Sequence, residues 1–410
     1  MANFQIKKGR NLPLKGEAQK NTVQLPIPIQ AAIQPSDLRG LKPRLALQEG
    51  DLVKVGTPIL TDKTLPEIKV ASPVSGKIVA INRGEKRVLL SIVIEADGKQ
   101  ESEIFPKFTE QQIKNISKED VVKILLDGGL WPIIRQRPFS KIANPQETPK
   151  SIFIHAMNTE PLAADVDFIL RDKEKEFQVG LNVIKRLTTG NVHLCVSPNA
   201  KSEALTKSQN VQIQQFSGPH PTGNVSIHIH YIDPINKGEI VWYVEAQDVL
   251  RIAELFLNGR HSAERVVAIT GEGARNRFYA KTVVGAPVLS LLKDSNLEGM
   301  RCISGSVLAG ESVGKNGFVR FYDSQITVIP EGGRREFLGW LSPGLKKYSF
   351  SRTFLSSFLP EREASLDTDT HGSDRTIVLN YIYDDLVPLD ILTFFLFKAV
   401  NRICKIQKWY

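Results

Sequence analysis

Residues 47–82 read LQEGDLVKVGTPILTDKTLPEIKVASPVSGKIVAIN, and this stretch decides the fold of the first part of the chain. A Glu-Gly-Asp turn at 49–51 precedes an alternating apolar run at 52–55, which predicts a β-hairpin. A second half passes through Ser-Pro-Val-Ser-Gly at 72–76 into a further strand at 77–81. Because two such halves can wrap around one another, the sequence predicts a small flattened barrel.

The same stretch resembles the biotinyl/lipoyl-carrier modules, whose pattern joins an acidic-glycine turn, Gly-x-x-Leu and Ser-Pro-x-x-Gly-x-Val. Carriers hold a modified lysine on the tight tip between the two halves, and Lys63 is the candidate here. Lys63 follows Gly56 too closely, and residues 65–67 lengthen the tip. We therefore favour an unmodified barrel that serves as a docking platform over a lipoyl- or biotin-type carrier, which stays as the alternative.

Length and charge limit the remaining interpretations. A chain of 410 residues is too long for one core, so two to four domains are expected. The net charge of +9 comes from cations spread along the whole chain, which argues against nucleic-acid binding and suits a protein beside anionic headgroups on the cytoplasmic side of a membrane. Cys195, Cys302 and Cys404 lie far apart, a spacing that favours a reducing compartment and disfavours zinc or iron-sulfur sites.

Apolar runs in the sequence are too short for a secretory signal or a membrane span. The first ten residues have no apolar core, and no run approaches the roughly 18 apolar residues that a spanning helix needs. The nearest candidate, residues 386–400, is interrupted by Pro388, Asp390 and Lys398. It predicts a buried or interfacial helix that begins near Pro388.

An aromatic and basic loop follows the first predicted helix. The apolar face at 121–126 ends at Gly128-Gly129, a helix C-cap signal, and residues 129–141 then read GLWPIIRQRPFSK. This loop contains two aromatic residues within a group of cations: Trp131, Arg135, Arg137, Phe139 and Lys141. One interpretation is that the aromatic rings seal the domain edge, and the other is that they form a contact surface.

The middle of the chain predicts an α/β unit. An apolar strand at 151–156 breaks into polar residues before Pro161, as strands do when they deliver side chains to a crevice. A helix at 177–187 and a buried strand at 192–196 complete a β-α-β unit. It has no Gly-x-Gly-x-x-Gly turn, which argues against ordinary dinucleotide binding. A soluble flavin- or nucleotide-binding oxidoreductase stays as an alternative on fold analogy alone.

Three histidines that lie close together in the sequence are candidate metal ligands. The segments FSGPHPTG at 216–223 and IHIHY at 227–231 predict His228 and His230 on one face of a strand, with His220 nearby. No carboxylate or cysteine completes a ligand set. We favour histidines that bond to the backbone, and we assign no metal site.

Several of these segments together resemble a known family. Ile6-Lys7-Lys8-Gly9, the barrel, NRGEKRVL at 82–89, and GPHPxG followed by HIH resemble the A subunits of the bacterial sodium-translocating NADH:quinone reductases. The resemblance implies a peripheral protein on the cytoplasmic face of the inner membrane, part of a six-subunit respiratory complex that couples NADH oxidation and ubiquinone reduction to sodium export.

The resemblance also implies how the chemistry is shared. NADH, FAD, FMN and the iron-sulfur centre are expected on other subunits, and this chain is expected to carry no covalent cofactor and no independent catalysis. Ubiquinone is a candidate ligand, and the membrane-embedded B subunit is the expected nearest partner. The residues expected to contact the quinone or that partner are Trp131, Arg137, Phe139 and Lys141.

The expected architecture is α/β with all-β modules. We predict a biotinyl/lipoyl-like barrel-sandwich domain at 1–105, a Rossmann-like α/β domain at 106–260, a β-grasp-like domain of the soluble-ligand-binding type at 261–315 and a C-terminal α+β region at 316–410. The glycines at 271–273 lack a Lys-Ser/Thr pair and predict a strand-turn-strand. After Lys398 the sequence departs from the family, so residues 399–410 are expected to form a shortened end.

Overall fold

The computed structural model of the chain describes residues 2–293, 295–333, 336–345, 347–351, 353–360, 362–369, 376–378 and 381–407. The strands are β1 (Ala2–Gln5), β2 (Thr22–Gln24), β3 (Gln30–Ile33), β4 (Pro43–Leu45), β5 (Leu52–Val53), β6 (Pro58–Asp62), β7 (Lys69–Ala71), β8 (Gly76–Arg83), β9 (Leu89–Ala96), β10 (Arg135–Arg137), β11 (Lys141–Ile142), β12 (Ile152–Ala156), β13 (Val192–Val196), β14 (Gln212–Ser217), β15 (Val241–Glu245), β16 (Glu264–Thr270), β17 (Tyr279–Val283), β18 (Met300–Ser304), β19 (Glu311–Ser312) and β20 (Gln325–Pro330). The helices are α1 (Glu110–Asn115), α2 (Lys118–Asp127), α3 (Val166–Ile169), α4 (Glu174–Lys185), α5 (Glu203–Thr206), α6 (Val225–Ile232), α7 (Ala246–Asn258), α8 (Val288–Leu291), α9 (Ile382–Leu386) and α10 (Thr393–Gln407).

The N-terminal barrel is built from two small sheets that share one core. One sheet has the order β3-β9-β8-β5 and the other β4-β6-β7, and apolar side chains from both lie in the same buried cluster. Strand β5 of the first predicted half pairs with β8 of the second, so the two halves cross as the sequence predicts. Asp37 ties the barrel to the rest of the chain, because its carboxylate accepts hydrogen bonds from Arg320 Nε at 2.7 Å and from the backbone N–H of Phe321 at 2.8 Å.

Two strands among the first 24 residues pair outside the two barrel sheets, although the predicted domain at 1–105 includes them. β1 pairs with β14 and β2 pairs with β17, in two other sheets. Short alternating strands carry little information about their partners, because pairing depends on which sheet edge is open in the folded chain.

The central sheet has seven strands in the order β1-β14-β13-β12-β15-β10-β11. Strands β12 and β13 are parallel neighbours joined through α4, which confirms the predicted β-α-β unit. Ile152 and Ile154 of β12 pack into the cluster that contains α4 and α7, while Phe153 packs with α6 on the other face. Burial on both faces explains why the strand reads as a continuous apolar run.

The third sheet has six strands in the order β19-β18-β20-β16-β17-β2. β16 and β17 are antiparallel and are joined through the glycines at 271–273, so the predicted strand-turn-strand is confirmed. β20 pairs with β16 and β18, and it therefore brings part of the predicted region 316–410 into the sheet of the preceding domain.

Helix α10 begins at Thr393, and the prediction of a start near Pro388 is wrong. The segment between α9 and α10 bends, and the backbone N–H of Thr393 donates to Ile391 O across this bend. A proline can open a helix, but here its neighbours do not continue the helical hydrogen bonding. Residues 408–410 of the predicted divergent end lie outside the described part of the chain. Among the described residues, no helix is both long and apolar enough to cross a bilayer.

Candidate functional site

Three of the four residues predicted from the loop lie on one hairpin at the edge of the central sheet. β10 and β11 pair through Gln136 and Lys141, and β11 is the last strand of the sheet. The turn between them carries Phe139, whose side chain is 72% exposed. Arg137 precedes this turn and Lys141 follows it, so the hairpin presents an aromatic ring between two cations.

Tyr243 of β15 anchors this hairpin to the sheet. The hydroxyl groups of Tyr243 and Ser140 lie 2.6 Å apart, within hydrogen-bond distance. The guanidinium group of Arg137 lies 5.2 Å from the centroid of the Tyr243 ring, within the range of a cation–π contact. These contacts hold the turn from its inner side and leave Phe139 exposed.

Trp131 lies beneath the hairpin and not on its surface. Its side chain is fully buried, and its Nε1–H donates to Ala143 O at 2.8 Å. Its ring meets Trp242 edge-to-face, with centroids 5.6 Å apart. The structure therefore separates the predicted residues: Trp131 packs inside the domain, as the sealing interpretation expects, and the other three lie on the hairpin.

A second cluster of polar side chains lies at the carboxyl end of the parallel strands. The strand order changes direction at β12 and β15, since β13 and β14 lie on one side of β12 and β15 lies on the other. Ligands of open α/β sheets bind at such a switch point, outside the carboxyl ends of the strands. His155 near the end of β12 and Glu245 at the end of β15 face each other there, in register.

His155, Glu245 and Arg135 form one ion network. His155 donates from Nδ1 to Glu245 Oε2 at 2.7 Å and from Nε2 to Gly223 O. Because both partners only accept hydrogen bonds, both ring nitrogens carry protons and the imidazole is cationic. Arg135 donates to Glu245 Oε1 at 2.8 Å, and its guanidinium lies 4.4 Å from the ring centroids of two tyrosines, Tyr243 and Tyr322.

The pKa directions agree with this geometry. Burial alone would lower the pKa of His155, but the Glu245 carboxylate and the Gly223 carbonyl outweigh burial and raise it above its usual value. Burial would likewise raise the pKa of Glu245, but His155 and Arg135 hold it at about 2. Below the raised pKa of His155 the network therefore consists of one carboxylate between two cations.

The network bridges the crevice in which an α/β protein usually holds a nucleotide. β15 runs directly into α7 with Glu245 at the N-cap, so no turn separates this strand from the helix that follows it. On the β12 side, the segment 157–164 contains no glycine. A phosphate cradle needs backbone N–H groups in a glycine-rich turn, and neither strand end provides one. The sequence predicts that the end of β12 delivers side chains to a crevice. It does not predict that Glu245 lies there, because an acidic residue at a strand-to-helix junction is not distinctive.

The predicted strand at 227–231 is wrong, because these residues lie in α6. Val225, His228, Ile229 and Ile232 have helical spacing, and over so short a segment this pattern coexists with the strand-like alternation. A helix points residues two positions apart in different directions, so His228 is buried and His230 is exposed. Burial, with the nearby His155 cation, lowers the pKa of His228 to about 3, and its ring is neutral. Within the described residues, no group of three His, Cys, Asp or Glu side chains could hold a metal ion.

Comparisons with known proteins match three parts of the chain. Family models described as the NqrA N-terminal barrel-sandwich hybrid domain, the NqrA second alpha/beta domain and the NQRA C-terminal domain match residues 4–97, 116–261 and 266–315. A protein of Alcanivorax borkumensis, named as the A subunit of a Na(+)-translocating NADH-quinone reductase, is 38% identical over 399 residues, which are 97% of this chain and 89% of that protein. Proteins of the same name from Yersinia pseudotuberculosis and Neisseria meningitidis are 39% and 38% identical, each over 95% of this chain and 87% of the relative.

This chain belongs to the NqrA family. The match to the N-terminal family model confirms the predicted barrel-sandwich fold, and the described helices and strands confirm its combination with α/β structure. The edge hairpin and the ion network both fall within the NqrA second alpha/beta domain. A chain from the crystal structure of an NAD+-reducing [NiFe]-hydrogenase aligns over 45% of this chain and 41% of its own length, at 11% identity and a TM-score of 0.34, which is too low to indicate a shared fold.

Substitution of the two predicted aromatic residues separates their roles. Trp131→Phe removes the donor to the buried Ala143 carbonyl, so we expect it to lower the free energy of unfolding by roughly 1–3 kcal/mol. Phe139→Ala removes an exposed side chain and is expected to change that free energy by less than about 0.5 kcal/mol. Urea unfolding followed by circular dichroism measures both. Equal destabilisation by the two variants would contradict this assignment of Trp131 to the interior.

The ion network predicts a pH-dependent contribution to stability. A raised His155 pKa stabilises the fold fully below the ordinary value of 6.5, and this contribution is lost as pH rises through the folded-state pKa. The lowered Glu245 pKa stabilises above 4.5, and that contribution is lost as pH falls towards about 2. We therefore expect His155→Gln to lower the free energy of unfolding by roughly 1–3 kcal/mol at a pH between 4.5 and 6.5, and by less at about pH 9.

The measurement is urea unfolding of the wild type and of His155→Gln, once at a pH between 4.5 and 6.5 and once at about pH 9. His230→Gln serves as the matched control, because His230 lies on the exposed side of α6. A loss of stability in His155→Gln that is the same at both pH values would show that the imidazolium charge does not hold the network.

Proposed function

We propose that this chain is the A subunit of a sodium-translocating NADH:quinone reductase, a respiratory complex that couples NADH oxidation and ubiquinone reduction to sodium export. The Alcanivorax, Yersinia and Neisseria relatives, which match 95–97% of the chain, carry that name, and this observation supports the proposal most strongly. The chain is a translocase subunit without catalysis of its own, and it lies at the cytoplasmic face of the inner membrane.

In this proposal the chain carries no redox cofactor, and NADH, FAD, FMN and the iron-sulfur centre belong to other subunits. The ion network of Arg135, His155 and Glu245 supports this division, because the chain's own side chains bridge the crevice at the strand ends. Cys195 and Cys302 are both buried free thiols, remote from any cluster spacing.

The β10–β11 hairpin is the proposed contact with the membrane-embedded B subunit. Its exposed Phe139 supplies an apolar anchor, and Arg137 and Lys141 supply charge on either side. Aromatic and arginine side chains carry much of the binding energy at protein interfaces. Trp131 contributes by holding the segment after β11 from beneath, through Ala143.

The fold names predicted for the second and third domains are part of the proposal. The order β14-β13-β12-β15, with parallel pairing and helices on both faces, supports a Rossmann-like sheet. The β-grasp-like assignment for the domain that begins near residue 261 rests on the mixed parallel and antiparallel sheet around β16.

The test of the contact is assembly with the other subunits. We expect the Arg137→Ala/Phe139→Ala double variant to reduce co-purification with the B subunit, and with it ubiquinone reductase activity, by at least about tenfold, since truncating interface anchors costs about 2 kcal/mol or more. The control is Phe358→Ala, which removes a phenylalanine that is also exposed but is not part of the hairpin. Unchanged assembly and activity in the double variant would contradict the contact.

A direct quinone contact makes a different prediction for the same double variant. If the hairpin binds ubiquinone, the isolated chain binds a short-chain ubiquinone saturably, and the double variant loses this binding. If the hairpin binds only the B subunit, the isolated wild type shows no saturable binding, while the double variant still fails to assemble. Tryptophan fluorescence quenching measures the binding in both cases.

A further inference from the structure

Helix α10 presents an apolar face that no described residue covers. Leu392, Phe395, Leu396, Ala399 and Val400 follow the spacing of one helix face, with steps of three and four residues. Leu392 is 75% exposed and Phe395 60% exposed, and Leu396 and Val400 are each about half exposed. An isolated exposed apolar residue needs no explanation, but a continuous face of large apolar side chains marks an interaction surface.

The neighbouring side of α10 is basic. Lys398 and Arg402 lie one helical turn apart beside the apolar face, and both are exposed. The Lys398 ammonium lies 4.9 Å from the centroid of the Phe394 ring, and that ring meets Phe395 of the apolar face with centroids 5.3 Å apart. The sequence has no acidic residue after Asp390, whereas it adds two more lysines, Lys405 and Lys408. The helix itself therefore combines a large apolar face with positive charge and contains no acidic residue.

Contacts before and along α10 fix the helix to the body of the protein. The Tyr231 hydroxyl donates to Pro388 O at 3.1 Å, and Leu389 packs against the buried cluster beneath α6. Phe397 meets Tyr383 of α9 edge-to-face, with ring centroids 5.4 Å apart. The apolar face is thus left exposed on a helix that is already anchored from the other side.

We propose that α10 binds the surface of an anionic lipid bilayer. Leu392, Phe395, Leu396 and Val400 insert among the upper parts of the acyl chains, and Lys398 and Arg402 lie at the headgroups. A helix of 15 residues is about 22 Å long, too short to span the hydrocarbon core, so it lies parallel to the membrane plane. A basic flank, an apolar face rich in Phe and Leu and the absence of acidic residues are the features of interfacial helices.

This binding extends the proposed peripheral role, because it gives the chain an attachment to lipid that is separate from the hairpin contact with the B subunit. The charge of this segment favours a lipid surface over a protein groove as the binding partner of α10. Four cations from Lys398 onwards, without one acidic residue, match a uniformly anionic surface.

The experiment is co-sedimentation of the full-length chain with vesicles of phosphatidylethanolamine and phosphatidylglycerol, compared with vesicles of phosphatidylcholine. We expect the chain to bind the anionic vesicles and to be released by salt. Lys398→Gln/Arg402→Gln is expected to lower partitioning by about fivefold for each cation removed. Phe395→Ser/Leu396→Ser is expected to lower it by at least about tenfold, because the inserted apolar area is lost.

Matched controls exclude effects of folding and of total charge. Lys86→Gln/Arg87→Gln removes two exposed cations from the turn before β9, and Phe358→Ser removes an exposed phenylalanine elsewhere. Both controls are expected to bind vesicles like the wild type. We expect the α10 variants to fold like the wild type, because the changed side chains are largely exposed, and circular dichroism checks this.

Three outcomes would overturn the proposal: failure of the wild-type chain to bind anionic vesicles, α10 variants that bind as well as the wild type, or α10 variants that bind vesicles normally but fail to assemble with the other subunits. The last outcome would show that α10 binds a protein. The Arg137→Ala/Phe139→Ala variant separates this proposal from the hairpin contact, because it is expected to bind vesicles like the wild type.

Discussion

Glu245 accepts hydrogen bonds from two cations at once, and the arrangement of the central domain depends on this carboxylate. Its oxygens join Arg135 of β10 to His155 of β12 across the end of β15. Beside it, Asp248 Oδ1 accepts from both Arg251 and Arg265 at 2.9 Å, which links α7 to β16 of the third sheet. Such pairs are costly to break because each member would be left as a poorly solvated charge. The Glu245 network therefore ties the edge hairpin to the parallel strands across the crevice, and the Asp248 pairs join the central domain to the third sheet.

The sequence predicts the parts of the fold that depend on local pattern. The barrel halves, the β-α-β unit and the turn at 271–273 each carry a turn residue or an apolar period of their own, and each is confirmed. Strand partners are different, because β1 and β2 join sheets whose edges exist only after distant strands have paired. The segment 225–232 fits a helical and a strand-like period equally well, and packing beneath the central sheet decides for the helix.

The candidate site was predictable only in part for the same reason. Phe139, Arg137 and Lys141 could be grouped because they lie within a few residues on one hairpin. Trp131 is close in sequence to them but turns inward to Ala143 and Trp242, which no local pattern distinguishes. Glu245 lies 90 residues after His155, and their pairing follows from the sheet order alone. The hairpin and α10 each expose large apolar side chains beside cations, which is why we propose them as the surfaces for a partner and for lipid.

The central claim is that ionic side chains of this chain bridge the crevice in which α/β proteins usually hold a nucleotide, and this geometry supports the proposal that the redox cofactors lie on other subunits. Isothermal titration calorimetry of the purified full-length chain with NADH and, separately, with FMN at neutral pH tests this claim most directly. We expect no saturable heat for either ligand. Saturable one-to-one binding that is abolished by competition between the two ligands would place a nucleotide in the crevice and contradict the account.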